Sequence, residues 1–258
     1  MSKLLALLRS SLHMLWMLVT VVPFTFVILL MALFGVSKAH RYPVARTWLT
    51  HCVDSARWIC GVRYQLIGQE HLEPLKDVPV VVLVKHQSTY ETFLMPGICP
   101  KPLAYVFKKE LLRIPFFGWS IGSLDMVHID RANNIRAFAK VISRGKELLA
   151  KGHWVIMFPE GTRIARGQVG DYKPGGTRLA IAAGARVLPV AVSSARCWPK
   201  HSFVKTPGFV TVSFGPSIDS ANRAAPELMQ EVQQWIEGEM RRIDPEGYAS
   251  LGSEHEVG

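Results

Sequence analysis

Residues 80–91 have the sequence VVVLVKHQSTYE, an apolar run followed closely by a histidine and then by a carboxylate. The apolar run 80–84 is typical of a strand that is buried on both faces of a sheet. His86 and Glu91 therefore lie where this strand ends and where a helix is expected to begin. In open α/β sheets, ligands and chemistry collect at that edge, so the pair is a candidate active site.

Strand-like and helical patterns alternate along the chain from about residue 62. Besides 80–84, strands are predicted at 103–107, 126–129, 153–157, 187–192 and 210–214. Helices are predicted at 135–150, 177–183 and about 221–243. This alternation indicates the α/β class, with a central, mostly parallel sheet flanked by helices.

The overall composition suggests a globular domain that carries a membrane anchor. The chain of 258 residues is 49% hydrophobic and 19% charged, with a mean hydropathy of +0.17. It is too apolar for an ordinary soluble enzyme and too polar for a multi-span membrane protein. The formal net charge of +10 suits anionic lipid surfaces or acidic ligands. With neither a Lys/Arg-rich run nor a nucleic-acid motif, no nucleic-acid partner is expected.

The segment 12–36 is nearly uncharged and is a candidate transmembrane helix. At 1.5 Å per residue it is long enough to cross about 30 Å of hydrocarbon. Basic residues flank it on both sides, so the positive-inside rule gives no orientation. Pro23 is expected to bend the helix, which leaves two alternatives open. One is a straight span, and the other is a helix that enters and returns with both ends near the cytoplasm.

A second helix is predicted over 43–60, where apolar residues recur at helical spacing. It lies either in the membrane interface, with Trp48 and Trp58 at headgroup level, or against the domain. The predicted organisation is a two-helix membrane module, an α/β domain and a disordered Gly-, Ser- and Glu-rich tail, at 1–60, 61–244 and 245–258 respectively.

Cysteine and histidine spacings predict neither disulfides nor a metal site. The four cysteines, at positions 52, 60, 99 and 197, lack the close spacing of zinc or redox motifs. We expect reduced thiols in a cytosolic setting. The nine histidines form no HExxH motif and no cluster with cysteine.

The spacing of His86 and Glu91 permits two interpretations. On one continuous helix, a separation of five residues turns two side chains roughly 140° apart. The pair can meet if His86 lies in the loop before the helix and Glu91 in its first turn. The carboxylate would then fix the tautomer and leave the other ring nitrogen as a base. Alternatively, Ser88 and Glu91 form a capping box, a structural arrangement that is also compatible with the first.

The segment 158–163, FPEGTR, follows another predicted strand and offers groups suited to phosphate. Its Pro-Glu-Gly is typical of a tight turn at the end of a strand. Gly161 leaves backbone amides accessible, and Arg163 offers a planar fork that fits phosphate oxygens. The alternative is an ordinary turn with a surface arginine.

Together, these segments resemble the 1-acyl-sn-glycerol-3-phosphate acyltransferases, a family of glycerolipid acyltransferases, and in particular its bacterial members. Four blocks of that family occur in order, at 86–91 (HQSTYE), 108–131 (KKEL, IPFFGW and IDR), 158–163 (FPEGTR) and 187–192 (VLPVAV). The first block departs from the family in carrying Glu91 where an aspartate is usual. Glutamate keeps the charge and adds one methylene, so we expect the role to be retained.

The resemblance implies transfer of a fatty acyl group from a thioester to the free hydroxyl of lysophosphatidic acid, which gives phosphatidic acid in phospholipid biosynthesis. The thioester, of acyl-CoA or of acyl carrier protein, is a co-substrate, and no cofactor or metal is implied. His86 is expected to be the general base, and Glu91 its orienting carboxylate. The implied substrate-binding residues are Lys108, Arg131, Glu160, Gly161, Thr162 and Arg163. The implied location is the bacterial inner membrane, among membrane lipids, with the catalytic domain on the cytoplasmic side.

The same residues are also compatible with other functions. The acceptor could instead be another lysophospholipid or glycerol 3-phosphate, or water, in which case the protein would be a membrane-bound thioesterase. A non-catalytic lipid-binding protein is a third class. For an acyltransferase, direct transfer without an acyl-enzyme is expected, because the acceptor hydroxyl is itself the nucleophile.

Overall fold

The computed structural model of the chain describes residues 2–130 and 134–249. Within them, one sheet of seven strands forms the centre of the protein. The strands are β1 (Val62–Ile67), β2 (Val80–Val84), β3 (Leu103–Lys108), β4 (Val127–Ile129), β5 (Trp154–Met157), β6 (Arg186–Val192) and β7 (Gly208–Phe214). Their spatial order is β1-β7-β6-β2-β5-β3-β4, and every neighbouring pair is parallel except β6 with β7. The predicted class is therefore confirmed.

Eight α-helices accompany the sheet in the described part of the chain. They are α1 (Lys3–Leu33), α2 (Lys38–Cys60), α3 (Tyr90–Ile98), α4 (Phe117–Gly122), α5 (Asn134–Ala150), α6 (Gly175–Ala183), α7 (Ala225–Ile243) and α8 (Pro245–Tyr248). They cover both faces of the sheet, because apolar side chains pack on each face in a separate core.

The central strand β2 shows why the chain folds around residues 80–84. All five of its residues are fully buried. Successive side chains of a strand point to opposite faces. Accordingly, Val80, Val82 and Val84 join the core beneath α2 and α3, while Val81 and Leu83 join the core beneath α5, α6 and α7. An uninterrupted apolar run is thus required by a strand with two covered faces.

The strand register brings the two predicted site segments together. Strand β2 lies between β6 and β5, and Leu83 of β2 pairs with Met157 of β5. The chain leaving β2 at Lys85 and the chain leaving β5 at Phe158 therefore emerge side by side at the carboxyl edge of the sheet. The backbone amide of Ile164 donates to the carbonyl of His86 at 2.7 Å and joins the two loops directly.

Helices α1 and α2 form a hairpin that packs on the domain. The His13 ring hydrogen-bonds to the carbonyl of Cys52 at 3.0 Å, and the Trp48 indole donates to the Thr20 hydroxyl at 3.1 Å. Helix α1 continues on both sides of Pro23. Of the described helices, it is the one long and apolar enough to cross a membrane.

The two tryptophans of α2 have different surroundings. Trp48 is buried in the core that α2 shares with the sheet, whereas Trp58 is 77% exposed. The middle of α2 therefore packs against the domain, as one of the two alternatives predicts. A position of Trp58 in the membrane interface stays a prediction.

The expectation of disorder from residue 245 onward is wrong for the first residues of that segment. Pro245–Tyr248 form α8, with Tyr248 buried. The buried carboxylate of Asp244 accepts two hydrogen bonds from the Arg166 guanidinium, at 2.8 and 2.6 Å. These contacts hold the chain in place beyond α7. Residues 250–258 lie outside the described part.

Candidate active site

His86 and Glu91 meet as a loop residue and a first-turn helix residue. The His86 Nδ1 lies 2.9 Å from the Glu91 Oε1. The same oxygen accepts the backbone amides of Gln87 at 2.8 Å and of Ser88 at 2.7 Å. Because this oxygen already accepts two backbone amides, it favours the tautomer in which Nδ1 is the donor, and in a neutral imidazole Nε2 then has the free lone pair.

The predicted capping box between Ser88 and Glu91 is realised only in part. The bond from the Ser88 amide to the Glu91 carboxylate is one half of a capping box. The Ser88 hydroxyl accepts the amide of Tyr90 at 3.1 Å. Closing the helix start therefore also fixes the carboxylate that orients the histidine.

The imidazole of His86 is held rigidly but stays accessible. Its ring stacks on Phe158, with centroids 3.9 Å apart and planes 18° from parallel. The side chain is 17% exposed, whereas that of Glu91 is fully buried. A partly open base with a buried orienting carboxylate can take a proton from a bound hydroxyl.

The turn at 158–163 lies directly against the His86 loop. Gly161 has a φ of +66°, a conformation that disfavours other residues, and its amide closes the turn on the Phe158 carbonyl at 2.9 Å. The Arg163 guanidinium donates to the Thr89 hydroxyl at 3.1 Å. Thr162 is exposed between them. The turn therefore brings the Arg163 guanidinium into contact with Thr89, the residue that precedes α3.

Glu160 does not occupy the place expected for a substrate-binding residue. Its carboxylate is buried, and both oxygens are engaged within the protein. Oε1 lies 2.6 Å from the Lys85 Nζ, and Oε2 accepts the His86 backbone amide at 2.8 Å. The Glu160 carboxylate thus holds the backbone of the candidate base through the His86 amide.

Lys85 is a buried cation that the sequence motifs do not identify. Besides Glu160, its Nζ contacts the Glu237 carboxylate of α7 at 2.6 Å and the Gln168 carbonyl at 3.2 Å. The Tyr172 hydroxyl donates to the same Glu237 oxygen at 2.7 Å. Burial raises the pKa of the Glu160 carboxyl, and the nearby Lys85 ammonium opposes that shift. Glu237 is far away in sequence, so spacing alone gives no signal for this network.

Lys108 lies at the same edge of the sheet as His86. It ends β3, which pairs with β5, and it is exposed. Its neighbour Lys109 is 3.5 Å from the Asp130 carboxylate. Arg131, another expected substrate-binding residue, lies outside the described residues.

An apolar cavity lies between the helical hairpin and the sheet. Side chains of α1, α2, α3, β3 and α4 line it, among them Phe24, Ala45, Phe93, Tyr105 and Phe117. The ring of Tyr105 lies 6.3 Å from that of Phe158, the residue on which His86 stacks. Phe158 thus connects a residue of the cavity wall to the candidate base, and the apolar lining of the cavity suits a hydrocarbon chain.

Comparison with known proteins gives consistent results. Residues 63–193 match the sequence model of the family described as Acyltransferase. The 1-acyl-sn-glycerol-3-phosphate acyltransferase of Pseudomonas aeruginosa is 41% identical over 205 residues, which cover 78% of each chain. A protein of the same name from Chlamydomonas reinhardtii is 29% identical over 69% of this chain and 55% of its own length.

The fold also matches a solved structure. The crystal structure of the 1-acyl-sn-glycerophosphate (LPA) acyltransferase PlsC from Thermotoga maritima superposes with a TM-score of 0.77. It covers 94% of this chain and 98% of that chain, at 24% identity. The α/β sheet carries a histidine and a carboxylate at its carboxyl edge, and the match over residues 63–193 identifies the protein as an acyltransferase. The chain belongs to the family of 1-acyl-sn-glycerol-3-phosphate acyltransferases.

Proposed function

We propose that this chain transfers a fatty acyl group from a thioester to the free hydroxyl of 1-acyl-glycerol 3-phosphate, with His86 as the general base. Family membership supports the overall reaction, whose product is phosphatidic acid. The observation that carries the residue assignment is the bond from the His86 Nδ1 to the buried Glu91 carboxylate.

The chemistry follows from that tautomer. As the acceptor oxygen attacks the thioester carbonyl carbon, His86 Nε2 takes the hydroxyl proton and the C–O bond forms. Glu91 stabilises the imidazolium that results. The C–S bond then breaks, and the imidazolium returns the proton to the departing thiolate, which leaves as a thiol. General-base catalysis of this kind contributes on the order of 10²–10⁴ in rate.

The acceptor phosphate requires cations near the base. Arg163 is the first choice, since it is tied to Thr89 at the start of α3. Lys108 is next, at the same edge of the sheet. Arg131 completes the proposed set. Gly161 and Thr162 lie between Glu160 and Arg163 in the chain, and their backbone and hydroxyl are the proposed contacts to the glycerol.

The apolar cavity is the proposed site of the acyl chain of the donor. Its walls include Phe24 of α1, Ala45 of α2 and Phe117 of α4. Helix α1 carries many exposed leucines and is suited to hydrocarbon. A chain in this cavity would thus lie between the membrane-facing hairpin and the base. Because thioester donors are made in the cytosol, we place the catalytic domain on the cytoplasmic side.

The absence of a covalent intermediate can be tested with purified protein in detergent or lipid. Radiolabelled acyl-CoA and acyl-acyl carrier protein are each added without acceptor, and the denatured protein is then counted. We expect no stable label on the protein and rapid phosphatidic acid formation once lysophosphatidic acid is added. A labelled adduct that the acceptor discharges would contradict direct transfer. Free fatty acid released at the same rate without acceptor would identify a thioesterase.

A further inference from the structure

A buried network of ions lies directly behind His86. Lys85 precedes His86 in the chain, and its ammonium bridges the carboxylates of Glu160 and Glu237, each at 2.6 Å. All three side chains are buried. Removing charges from water costs several kcal/mol for each ion, so a network of this kind is not expected from stability alone.

The network connects three separate parts of the fold. Lys85 follows β2, Glu160 belongs to the turn after β5, and Glu237 lies in α7. The Tyr172 hydroxyl and the Gln168 carbonyl, both from the loop before α6, add a fourth connection. The network of Lys85, Glu160 and Glu237 thereby ties α7, which is distant in sequence, to the loop that carries the candidate base.

One bond in the network reaches the active-site backbone. Glu160 Oε2 accepts the amide of His86 at 2.8 Å, while Oε1 accepts from Lys85. The carboxylate therefore sets the distance between the His86 backbone and a fixed buried ammonium. The His86 ring is fixed separately, by Glu91 and by Phe158.

We propose that Lys85 and Glu160 are positioning residues, which hold the backbone of His86 so that its imidazole meets the acceptor hydroxyl. Glu237 anchors Lys85 from α7. The proposal rests on the proposed role of His86 as the base. It replaces the expected contact between Glu160 and the acceptor with an indirect role.

The two glutamates offer a matched pair of isosteric substitutions. In Glu160→Gln, only one end of the amide can accept, so the NH2 group faces either the Lys85 ammonium or the His86 amide. In Glu237→Gln, the amide oxygen can keep the bonds of Oε1 to Lys85 and Tyr172. Its NH2 group then replaces Oε2, which has no hydrogen-bond partner among the described residues. Both variants lose one negative charge, but only the first disturbs the backbone of His86.

Asp244→Asn provides a structural control. The carboxylate of Asp244 is buried and pairs with Arg166 of the loop after β5. It therefore ties the same loop to the end of α7 without touching His86 or Glu160. The substitution Asp244→Asn should lower the melting temperature and leave kcat and KM close to those of the parent.

The experiment measures kcat, the KM for lysophosphatidic acid and the melting temperature for the full-length parent and each variant. We expect Glu160→Gln to lower kcat about 100-fold with little change in KM, as a displacement of about 1 Å at a reacting group does. Glu237→Gln should lower kcat less than about fivefold, because its bonds can be kept. Should Glu160→Gln fail to fold, Glu160→Asp keeps the charge but cannot span both donors, and should lower kcat about tenfold.

Three results would overturn the proposal. One is a kcat for Glu160→Gln, or for Glu160→Asp where that variant replaces it, within threefold of the parent. Another is a raised KM for lysophosphatidic acid with an unchanged kcat in the Glu160 variant, which would show that Glu160 contacts the acceptor directly. The third is a loss of kcat in Asp244→Asn as large as in the Glu160 variant. Near-parent activity in His86→Ala would instead refute the proposed base, which is a separate outcome.

Discussion

Glu91 binds three donors through a single oxygen. The His86 ring and the amides of Gln87 and Ser88 all lie within 2.9 Å of Oε1, and Oε2 has no partner among the described residues. With one methylene more than aspartate, the glutamate side chain still places its carboxylate against the loop from the first turn of α3. The departure from the family pattern is therefore compatible with an orienting role.

Glu91→Gln should lower kcat about 10²–10⁴-fold. The amide oxygen can replace Oε1 and keep the three hydrogen bonds, but the charge that stabilises the imidazolium is lost. Initial rates of phosphatidic acid formation measure the effect. Glu91→Asp serves as the matched control and should retain more activity than Glu91→Gln, because it keeps the charge. Equal rates for parent and Glu91→Gln would refute the role.

Arg163→Ala should raise the KM for lysophosphatidic acid about tenfold and leave kcat within threefold, as expected when binding is lost equally from ground and transition states. Arg178→Ala, which removes a guanidinium stacked on Phe138 of α5, is the control and should change neither constant. A fall in kcat alone would show that Arg163 does not clamp the acceptor phosphate.

Lys205 is a buried cation outside the proposed site. It is 1% exposed, its Nζ donates to the Phe203 carbonyl at 3.1 Å, and it lies 4.3 Å from the Trp198 ring centroid. Burial lowers the pKa of its ammonium from the ordinary 10.5. Between the lowered pKa and 10.5 the unfolded chain binds more protons, so stability rises with pH across that interval.

Lys205→Met should therefore raise the melting temperature at pH 7. We expect about 2–4 °C for each kcal/mol of relieved desolvation, and a smaller gain as the pH approaches 10.5. Thermal unfolding of parent and variant at several pH values measures this. A variant that is less stable than the parent at pH 7 would show that the ring contacts outweigh the cost of burial.

The residues of the site were predictable to different degrees. His86, Glu91 and Arg163 were expected because short motifs place them after buried strands, and the structure brings them together. In the sequence, Lys85 is simply the residue that follows the apolar run 80–84. The burial of Glu160 depends on contacts between segments far apart in sequence, and no local pattern encodes such contacts.

The elements were predicted best where both faces are covered. Strand β2 is apolar throughout, so its bounds agree with the predicted 80–84. Strand β1 was missed, because it lies at the edge of the sheet and four of its six residues are exposed. Helix α1 begins at Lys3 rather than at residue 12, since Ser2 caps it by accepting the Leu5 amide.

The cavity between the hairpin and the sheet should determine which acyl chains are used. Ala45 of α2 lines it, so Ala45→Phe would fill part of the space. We expect kcat/KM to fall about tenfold for a donor of about 18 carbons and to change little for one of about 10, because each buried methylene contributes about 0.8 kcal/mol. The short donor is the internal control. An equal loss for both donors would indicate general damage to the fold.

The two-helix module is not energetically separate from the domain. Trp48, Cys52, Val53 and Ala56 of α2 belong to the same core as β2. The boundary predicted at residue 60 therefore marks a change in the sequence pattern. Such a pattern does not reveal packing between segments. The hairpin therefore completes the core and the cavity of the protein.

Removal of residues 2–36 should consequently abolish activity and yield aggregated protein, because it uncovers the apolar faces of α2 and of the cavity. Size-exclusion chromatography and activity in detergent measure the outcome. A monodisperse, active truncated protein would show that α1 serves only as an anchor.

If His86 removes the proton of the acceptor hydroxyl, its replacement by alanine should slow acyl transfer. The most direct measurement is the rate of phosphatidic acid formation from lysophosphatidic acid and one acyl thioester, for the parent and for His86→Ala at equal protein and lipid concentrations. We predict a loss of at least about 10²-fold, with an unchanged melting temperature. A rate close to that of the parent would contradict the assignment.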